Sequence, residues 1–288
     1  MEYTFEEMNL LKDWIATAGD ELTNNGYNIN GLADDKIGIL YLTYLKRIVP
    51  AQPRKILRSN NFHCPAELQQ GLAMLENKIL RGENLKPHLS KLMDKIGFQD
   101  KMLFDWDIHH FHLGININQS GYVDRTGPVL YARVSEGEIY FIKIAGHGQW
   151  SDKDLITTIH ENWPETISSF RSQAEELERN YDSKEIGQLR GANVNTIVNI
   201  GPGINYHGPG WGVASSGDSI DAVKNYLDML RRFEDLEKSI KTNLLKWFPD
   251  ADTILTFNTL RFKLFKNDGK YWLYEMNNDK CVQIKGPL

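Results

Sequence analysis

Three short apolar segments in the middle of the chain, separated by turn sequences, constrain the fold more than any other feature. The segments 109–117 (HHFHLGINI), 129–134 (VLYARV) and 139–145 (IYFIKIA) have the length and composition of β-strands. Turn-forming residues fill 125–128 and 135–138 between them. The second connection is short and contains a glycine, which favours a hairpin. We therefore predict a central antiparallel sheet.

Helical periodicity predominates on both sides of this sheet. Residues 1–100 are expected to be mainly helical, with apolar residues at helical spacing from Leu10 onward and again over 66–80. A long helix is predicted over 219–248, where Pro249 ends it. Strands follow over 253–257, 260–265, 271–275 and 281–285, with a hairpin turn at Asn267-Asp268-Gly269.

These patterns predict an α+β protein. We expect a helical N-terminal part (1–100), a central antiparallel sheet with an acidic helix that carries the candidate site (101–195), and a C-terminal part (196–288). The C-terminal part would hold a glycine-rich loop, the long helix and a small β-meander.

Composition narrows the class of protein. Lysines and arginines total 33 against 38 acidic residues, and this net charge of −5 argues against a general nucleic-acid coat. The two cysteines, Cys64 and Cys281, exclude a disulfide framework. No apolar run approaches the roughly 18 residues of a membrane-spanning helix, and the first residues are acidic where a signal peptide would be basic. We expect a cytoplasmic protein with no membrane partner.

Residue types that can take part in catalysis or ligand binding are concentrated over 105–150. If 109–117 is a strand, alternation places His110 and His112 on one face. Tyr131 and Arg133 share a face of the next strand in the same way. The other members of this cluster are Asp105, Asp107, His109, Asp124, Arg125, His147 and Trp150.

The leading interpretation is a metal-independent RNA endonuclease of toxin or phage-defence type. Histidines suit proton transfer near neutral pH, and an arginine can neutralise the phosphate in the transition state. We predict that RNA, free or on the ribosome, is the partner and that no cofactor is needed. The predicted catalytic residues are His110, His112, Arg125 and His147, and the predicted substrate-binding residues are Tyr131, Arg133 and Trp150.

Three alternatives stay open. His110 and His112 form a His-x-His pair that could bind a metal ion in a hydrolase, with Asp124 or His147 completing the set of ligands. The histidines could instead be structural, with their ring nitrogens hydrogen-bonded inside the fold. The same aromatic-rich face could also bind a protein partner without catalysis, as in an antitoxin-like or defence accessory protein.

The segments His112-Leu113-Gly114, Val129-Leu130-Tyr131 and Ile142–His147 together resemble the sheet core of RelE/ParE-type toxins. The resemblance implies an antiparallel sheet with helices against it. For the RNA-cleaving members it also implies endoribonuclease activity, with basic and aromatic residues on the sheet face. Toxins of that type are small and usually basic, and this chain of 288 residues is neither.

Six strings along the chain are similar to a family of uncharacterised bacterial proteins, which implies a bacterial or phage origin. They are PHLSK (87–91), DWDIHHFHLG (105–114), RTGPVLYARV (125–134), HGQW (147–150), ENWPE (161–165) and ASSGDSIDAV (214–223).

Two further segments have a functional and a structural interpretation. Residues 36–64 contain no acidic residue. Their lysines and arginines could contact a phosphate backbone, or they could simply lie on the solvent-exposed face of a helix. The turn-rich segment 201–212 encloses His207 and Trp211 and leads to the start of the long helix, where free N–H groups could bind an anion. The simpler interpretation of that helix start is a cap formed by Asp218 or Ser219.

Overall fold

The computed structural model describes residues 3–285 and shows an α+β architecture. The helices are α1 (Leu10–Asn24), α2 (Asp34–Arg47), α3 (Gln69–Arg81), α4 (Lys101–Trp106), α5 (Asp154–Asn162), α6 (Ser183–Gly191), α7 (Ile220–Thr242), α8 (Leu244–Trp247) and α9 (Ala251–Ile254). The strands are β1 (Thr4–Phe5), β2 (Lys55–Arg58), β3 (Ile108–His112), β4 (Pro128–Val134), β5 (Glu138–Gly146), β6 (Val198–Gly201), β7 (Ile204–Tyr206), β8 (Thr259–Leu260), β9 (Phe262–Asn267), β10 (Lys270–Glu275) and β11 (Lys280–Gln283). No helix among these combines the length and the apolar composition that crossing a membrane requires.

The chain forms two compact units. The central unit is Thr43–Asp221, and the terminal unit consists of the described residues up to Leu42 and from Ala222 onward. These units differ from the three ranges expected from the sequence. The reason is that N- and C-terminal segments fold together: Asp13 of α1 accepts a hydrogen bond from the backbone N–H of Leu264 in β9, at 2.8 Å.

The main sheet of the central unit has the strand order β2-β5-β4-β3. The three strands predicted from the sequence are present and antiparallel, with β3 ending at His112 rather than at residue 117. The expectation of a wholly antiparallel sheet is corrected at one edge, because β2 pairs parallel to β5. A strand from the predicted helical region therefore completes the sheet.

Helices cover both faces of this sheet. On one face, Leu72 and Leu75 of α3 belong to the same buried cluster as Phe111 and Phe141. On the other face, residues of α5 and the aromatic ring of Trp163 pack with Tyr131 and Ile142. Strand β3 is consequently buried along its whole length.

The approach of α3 to β3 depends on a glycine. A Cβ atom at Gly71 would lie 1.7 Å from the carbonyl oxygen of Leu113, so only a residue without a side chain fits there. This contact holds the end of β3, where His112 lies, against the helix.

The terminal unit contains the predicted β-meander, β9-β10-β11, which is antiparallel throughout. Asp268 and Gly269 have φ angles of 49° and 73°, as a two-residue hairpin turn requires. The predicted long helix ends earlier than expected, at Thr242, because the non-helical backbone of Asn243 separates α7 from α8. The predicted strand over 253–257 is wrong, since residues 251–254 form the short helix α9.

Candidate functional site

His110 and His112 lie on the same face of β3, opposite Tyr131 and Val129 of β4. Alternation along the strand produces this arrangement, as the sequence predicted. Both side chains are buried, and their ring centroids are 5.9 Å apart. The two rings are therefore held by strand pairing rather than by a flexible loop.

His147 joins them from the end of β5. Pro128 pairs with Gly146 across the sheet, and the N–H of His147 donates to the carbonyl of Gly127 at 3.0 Å. The ring of His147 stacks on His112 with centroids 5.6 Å apart and lies 5.9 Å from His110. One nitrogen from each of the three rings lies within 4.8 Å of the other two.

Trp150 packs over this group, with its ring centroid 4.6 Å from both His110 and His147. Its backbone carbonyl accepts a hydrogen bond from Arg190 of α6. Arg190 is itself buried and paired with Asp105, Nη2 to Oδ2 at 2.7 Å. A buried ion pair thus fixes the tryptophan that closes one side of the cluster.

Arg125 approaches the cluster from the loop before β4. Its side chain is exposed, and Nη1 contacts Nε2 of His112. A guanidinium can only donate, so Nε2 of His112 accepts. Nδ1 of His110 and Nδ1 of His112 are buried without a hydrogen-bond partner among the described residues.

The surroundings keep these imidazoles neutral. Burial, helped by the nearby His147 and Arg125, lowers the pKa of His110 to about 4. Burial and the positive charge of Arg125 lower the pKa of His112 to about 3, and the same two causes lower the pKa of His147. At neutral pH each ring therefore keeps one unprotonated nitrogen, the form in which histidine binds metal ions.

A cavity of about 500 Å³ opens beside the cluster. Its wall includes His110, His147 and Trp150, together with Arg190 and the α4 residue Lys101. The size is in the range of small-molecule sites. Two of the three histidines can therefore be reached by a small molecule or by one end of a larger one.

Two residues predicted to bind substrate have their side chains bound within the fold. Tyr131 has no exposed surface, and its hydroxyl donates to the carbonyl of Gly146 at 3.0 Å, so its ring offers no face for a base to stack on. The guanidinium of Arg133 pairs with Asp107 at 3.3 Å and donates to the carbonyl of Thr166. Both side chains are held within the fold, which corrects the role assigned to them.

Asp124, one of the two residues considered as a further metal ligand, is exposed and accepts a hydrogen bond from Asn116 at 3.1 Å. His147 takes its place in the cluster. Three of the six cations of the acid-free run 36–64 are bound within the fold: Arg47 and Arg54 are buried and donate to backbone carbonyls, and Lys46 pairs with Asp107.

Sequence reasoning missed His88 and Arg190. His88 is fully buried, and its Nδ1 lies 2.9 Å from the carbonyl oxygen of His112, so it supports the strand end that carries the cluster. Arg190 lies 40 residues after Trp150 along the chain. His88 lies in the string PHLSK, which suggested no role for it, and Arg190 lies in none of the strings singled out in the sequence. The tertiary structure brings both residues to the site.

Comparisons with known proteins give no match, whether to protein-family models, to curated proteins or to solved structures. Fold and side-chain geometry alone therefore support the functional argument.

Proposed function

We propose that His110, His112 and His147 bind a divalent transition-metal ion and that the protein is a metal-dependent hydrolase. The observation that supports this proposal is the convergence of three imidazole nitrogens within 4.8 Å. Imidazole suits zinc, copper, iron and nickel, and catalytic zinc sites commonly use three protein ligands with one position left open. The adjoining cavity provides room for a substrate at that position.

Arg125 indicates the chemical class of the substrate. Its exposed guanidinium lies directly beside the ligand set and can donate two parallel hydrogen bonds to a phosphate or carboxylate. Because its Nη1 contacts Nε2 of His112, the side chain has to turn outward when that nitrogen binds an ion. Turned outward, it can hold an anionic substrate close to the ion, and we propose a phosphate ester.

Each group then has a distinct part in the reaction. A bound ion supplies Lewis acidity and lowers the pKa of a coordinated water to about 7. The three histidines fix the ion, Arg125 neutralises the phosphate, and Trp150 covers His110 and His147 from one side.

Hydrolysis of a chromogenic phosphodiester, bis(p-nitrophenyl) phosphate, tests the proposal. Protein stripped with EDTA and reloaded with zinc, manganese or iron should hydrolyse it, and His147→Ala should be inactive. His63→Ala is the matched control, because His63 is exposed and lies outside the cluster. Equal activity of the His147→Ala and wild-type proteins, or none with any of the metals, would contradict the proposal.

The metal-independent RNA endonuclease is a second candidate, and the contact between Arg125 and His112 favours it. In this mechanism His110 and His112 transfer protons and Arg125 holds the scissile phosphate. The lowered pKa values suit these rings as bases rather than as acids. Cleavage of single-stranded or ribosome-bound RNA by EDTA-treated protein would support this candidate, and its dependence on added metal would favour the hydrolase.

We also propose that the protein works in the cytoplasm. Both thiols, Cys64 and Cys281, are unpaired, as is usual in a reducing compartment. Fractionation of the source cells tests this, and recovery from the periplasm or the medium would contradict it.

A further inference from the structure

A second cavity, of about 410 Å³, lies in the central unit. Its wall is formed by one buried acid, two aromatic rings and several polar side chains. Asp105, Phe170, His207, Gly208 and Trp211 are among these residues. None of the three clustered histidines contributes to it.

Asp105 contributes a buried carboxyl group to the residues that line this cavity. Its side chain is 3% exposed, and Oδ2 accepts a hydrogen bond from Nε of Arg190 at 2.8 Å and forms an ion pair with Nη2 at 2.7 Å. Oδ1 is buried and has no hydrogen-bond partner among the described residues. Buried acceptors are almost always satisfied. Asp105 lines the cavity, so a donor for this oxygen can come from a molecule bound there.

Gly208 lies next to the carboxylate of Asp105 and has no side chain. A Cβ atom at Gly208 would lie 2.1 Å from Oδ1 of Asp105, so a side chain there would collide with the acid. The N–H of Gly210 donates to the backbone carbonyl of Asp105 at 2.8 Å and holds the loop in place. The loop therefore passes close to the acid without supplying a donor to Oδ1.

Trp211 gives the cavity an aromatic face. Its side chain is 51% exposed, and its ring packs edge-to-face on Phe170 with centroids 5.5 Å apart. Its φ angle is 76°, in the left-handed region that a bulky residue rarely adopts. Backbone strain of this kind occurs preferentially at functional sites, and here it presents a large ring at the mouth of the cavity.

From these features we propose that the second cavity binds a nucleobase that carries an exocyclic amino group. The ring stacks on Trp211, and the amino N–H donates to Oδ1 of Asp105. Arg190 already neutralises this acid, so a neutral donor fits better than an organic cation. Base–aromatic stacking is a common mode of recognition for unpaired bases. The cavity is lined by none of the three proposed metal ligands, and the proposal does not require a bound metal ion.

Calorimetric titration of the metal-free, full-length protein with adenosine and with purine riboside tests the proposal, because the two nucleosides differ only in the amino group. We expect adenosine to bind and purine riboside to bind at least about tenfold more weakly, as for the loss of a hydrogen bond to a charged group. Equal affinities would overturn the proposal, as would tighter binding of the cation agmatine than of adenosine.

Trp211→Gly tests the stacking partner with little risk to the fold, because glycine adopts positive φ without strain. We expect affinity for adenosine to fall about tenfold or more. Phe257→Ala is the control, since Phe257 is 59% exposed and does not line the cavity. Unchanged affinity in Trp211→Gly would overturn the stacking role, and the comparison of the two nucleosides in the wild-type protein stands independently of this variant.

Discussion

His112 is the residue at which the proposed metal binding and anion binding meet. One side of its ring stacks on His147, while its Nε2 contacts Arg125. A cation beside a neutral imidazole favours the unprotonated ring, but it also competes with a metal ion for the same nitrogen. The balance between these two effects can be measured by removing the guanidinium.

We expect Arg125→Ala to separate the two functions. Loss of the guanidinium should leave metal affinity equal or higher, because a competing positive charge is gone. Hydrolysis of an anionic ester should fall about 10- to 100-fold in kcat/KM, as for loss of a charged hydrogen bond. Parallel metal titration and steady-state kinetics measure the two effects.

Arg231→Ala is the matched control, since Arg231 is 75% exposed and belongs to α7. It should behave as the wild-type protein in both assays. A loss of metal binding in Arg125→Ala, or no loss of hydrolysis, would contradict the role assigned to Arg125.

The main sheet holds the side chains of the site in place because helices pack against both of its faces. The position of β3 under α3 depends on the close approach at Gly71. The strand periodicity predicted β3, β4 and β5 and placed His110 and His112 on one face. It did not predict β2, because four residues about 80 positions away from their partner strand leave no local signal.

Gly71→Ala should destabilise the central unit. The added methyl group meets a backbone carbonyl that cannot move without shifting β3, so we expect a loss of roughly 2 kcal/mol or more in the free energy of unfolding. Gly137→Ala is the control, because nothing lies within 4 Å of its Cβ position. Urea denaturation measures both, and an equal effect of the two substitutions would show that the close approach is not rigid.

Strand β10 gives a pH-dependent prediction for the terminal unit. Burial raises the pKa of Tyr271 from 10.0 to about 12. The folded protein therefore keeps this proton between those values while the unfolded chain loses it, and stability falls as pH rises through that window. Tyr271→Phe should lose less stability between pH 10 and 12 than the wild-type protein, as measured by urea denaturation at several pH values. The same pH dependence of the free energy of unfolding in both proteins would contradict a raised pKa of Tyr271.

The sequence predicted the fold class of the whole molecule, but it did not predict which segments fold together into each of the two compact units. The alternation of strand and helix patterns predicted an α+β protein, which the structure confirms. Burial of Tyr131 and the ion pair of Arg133 with Asp107 depend on packing between distant segments, and so does the pairing of α1 with β9. Periodicity reports which face of an element is apolar, not which distant element covers it.

The division into two units predicts that damage to the terminal unit spares the site. Asp13→Ala removes the acceptor for the N–H of Leu264 and should destabilise the terminal unit by about 1–2 kcal/mol. Asp13→Asn keeps an acceptor oxygen and should have a smaller effect. Metal affinity should be unchanged in both variants, and weakened metal binding in either would show that the site depends on the terminal unit.

Titration of the EDTA-treated protein with cobalt(II), followed by visible absorption, shows whether His110, His112 and His147 bind a metal ion. We expect binding of one ion per chain with the ligand-field bands of imidazole coordination, loss of those bands in His147→Ala, and their retention in His63→Ala. His147 is exposed, so its removal leaves the buried core intact. The absence of bands in the wild-type protein, or identical spectra from the wild-type and His147→Ala proteins, would contradict a metal centre at these three histidines.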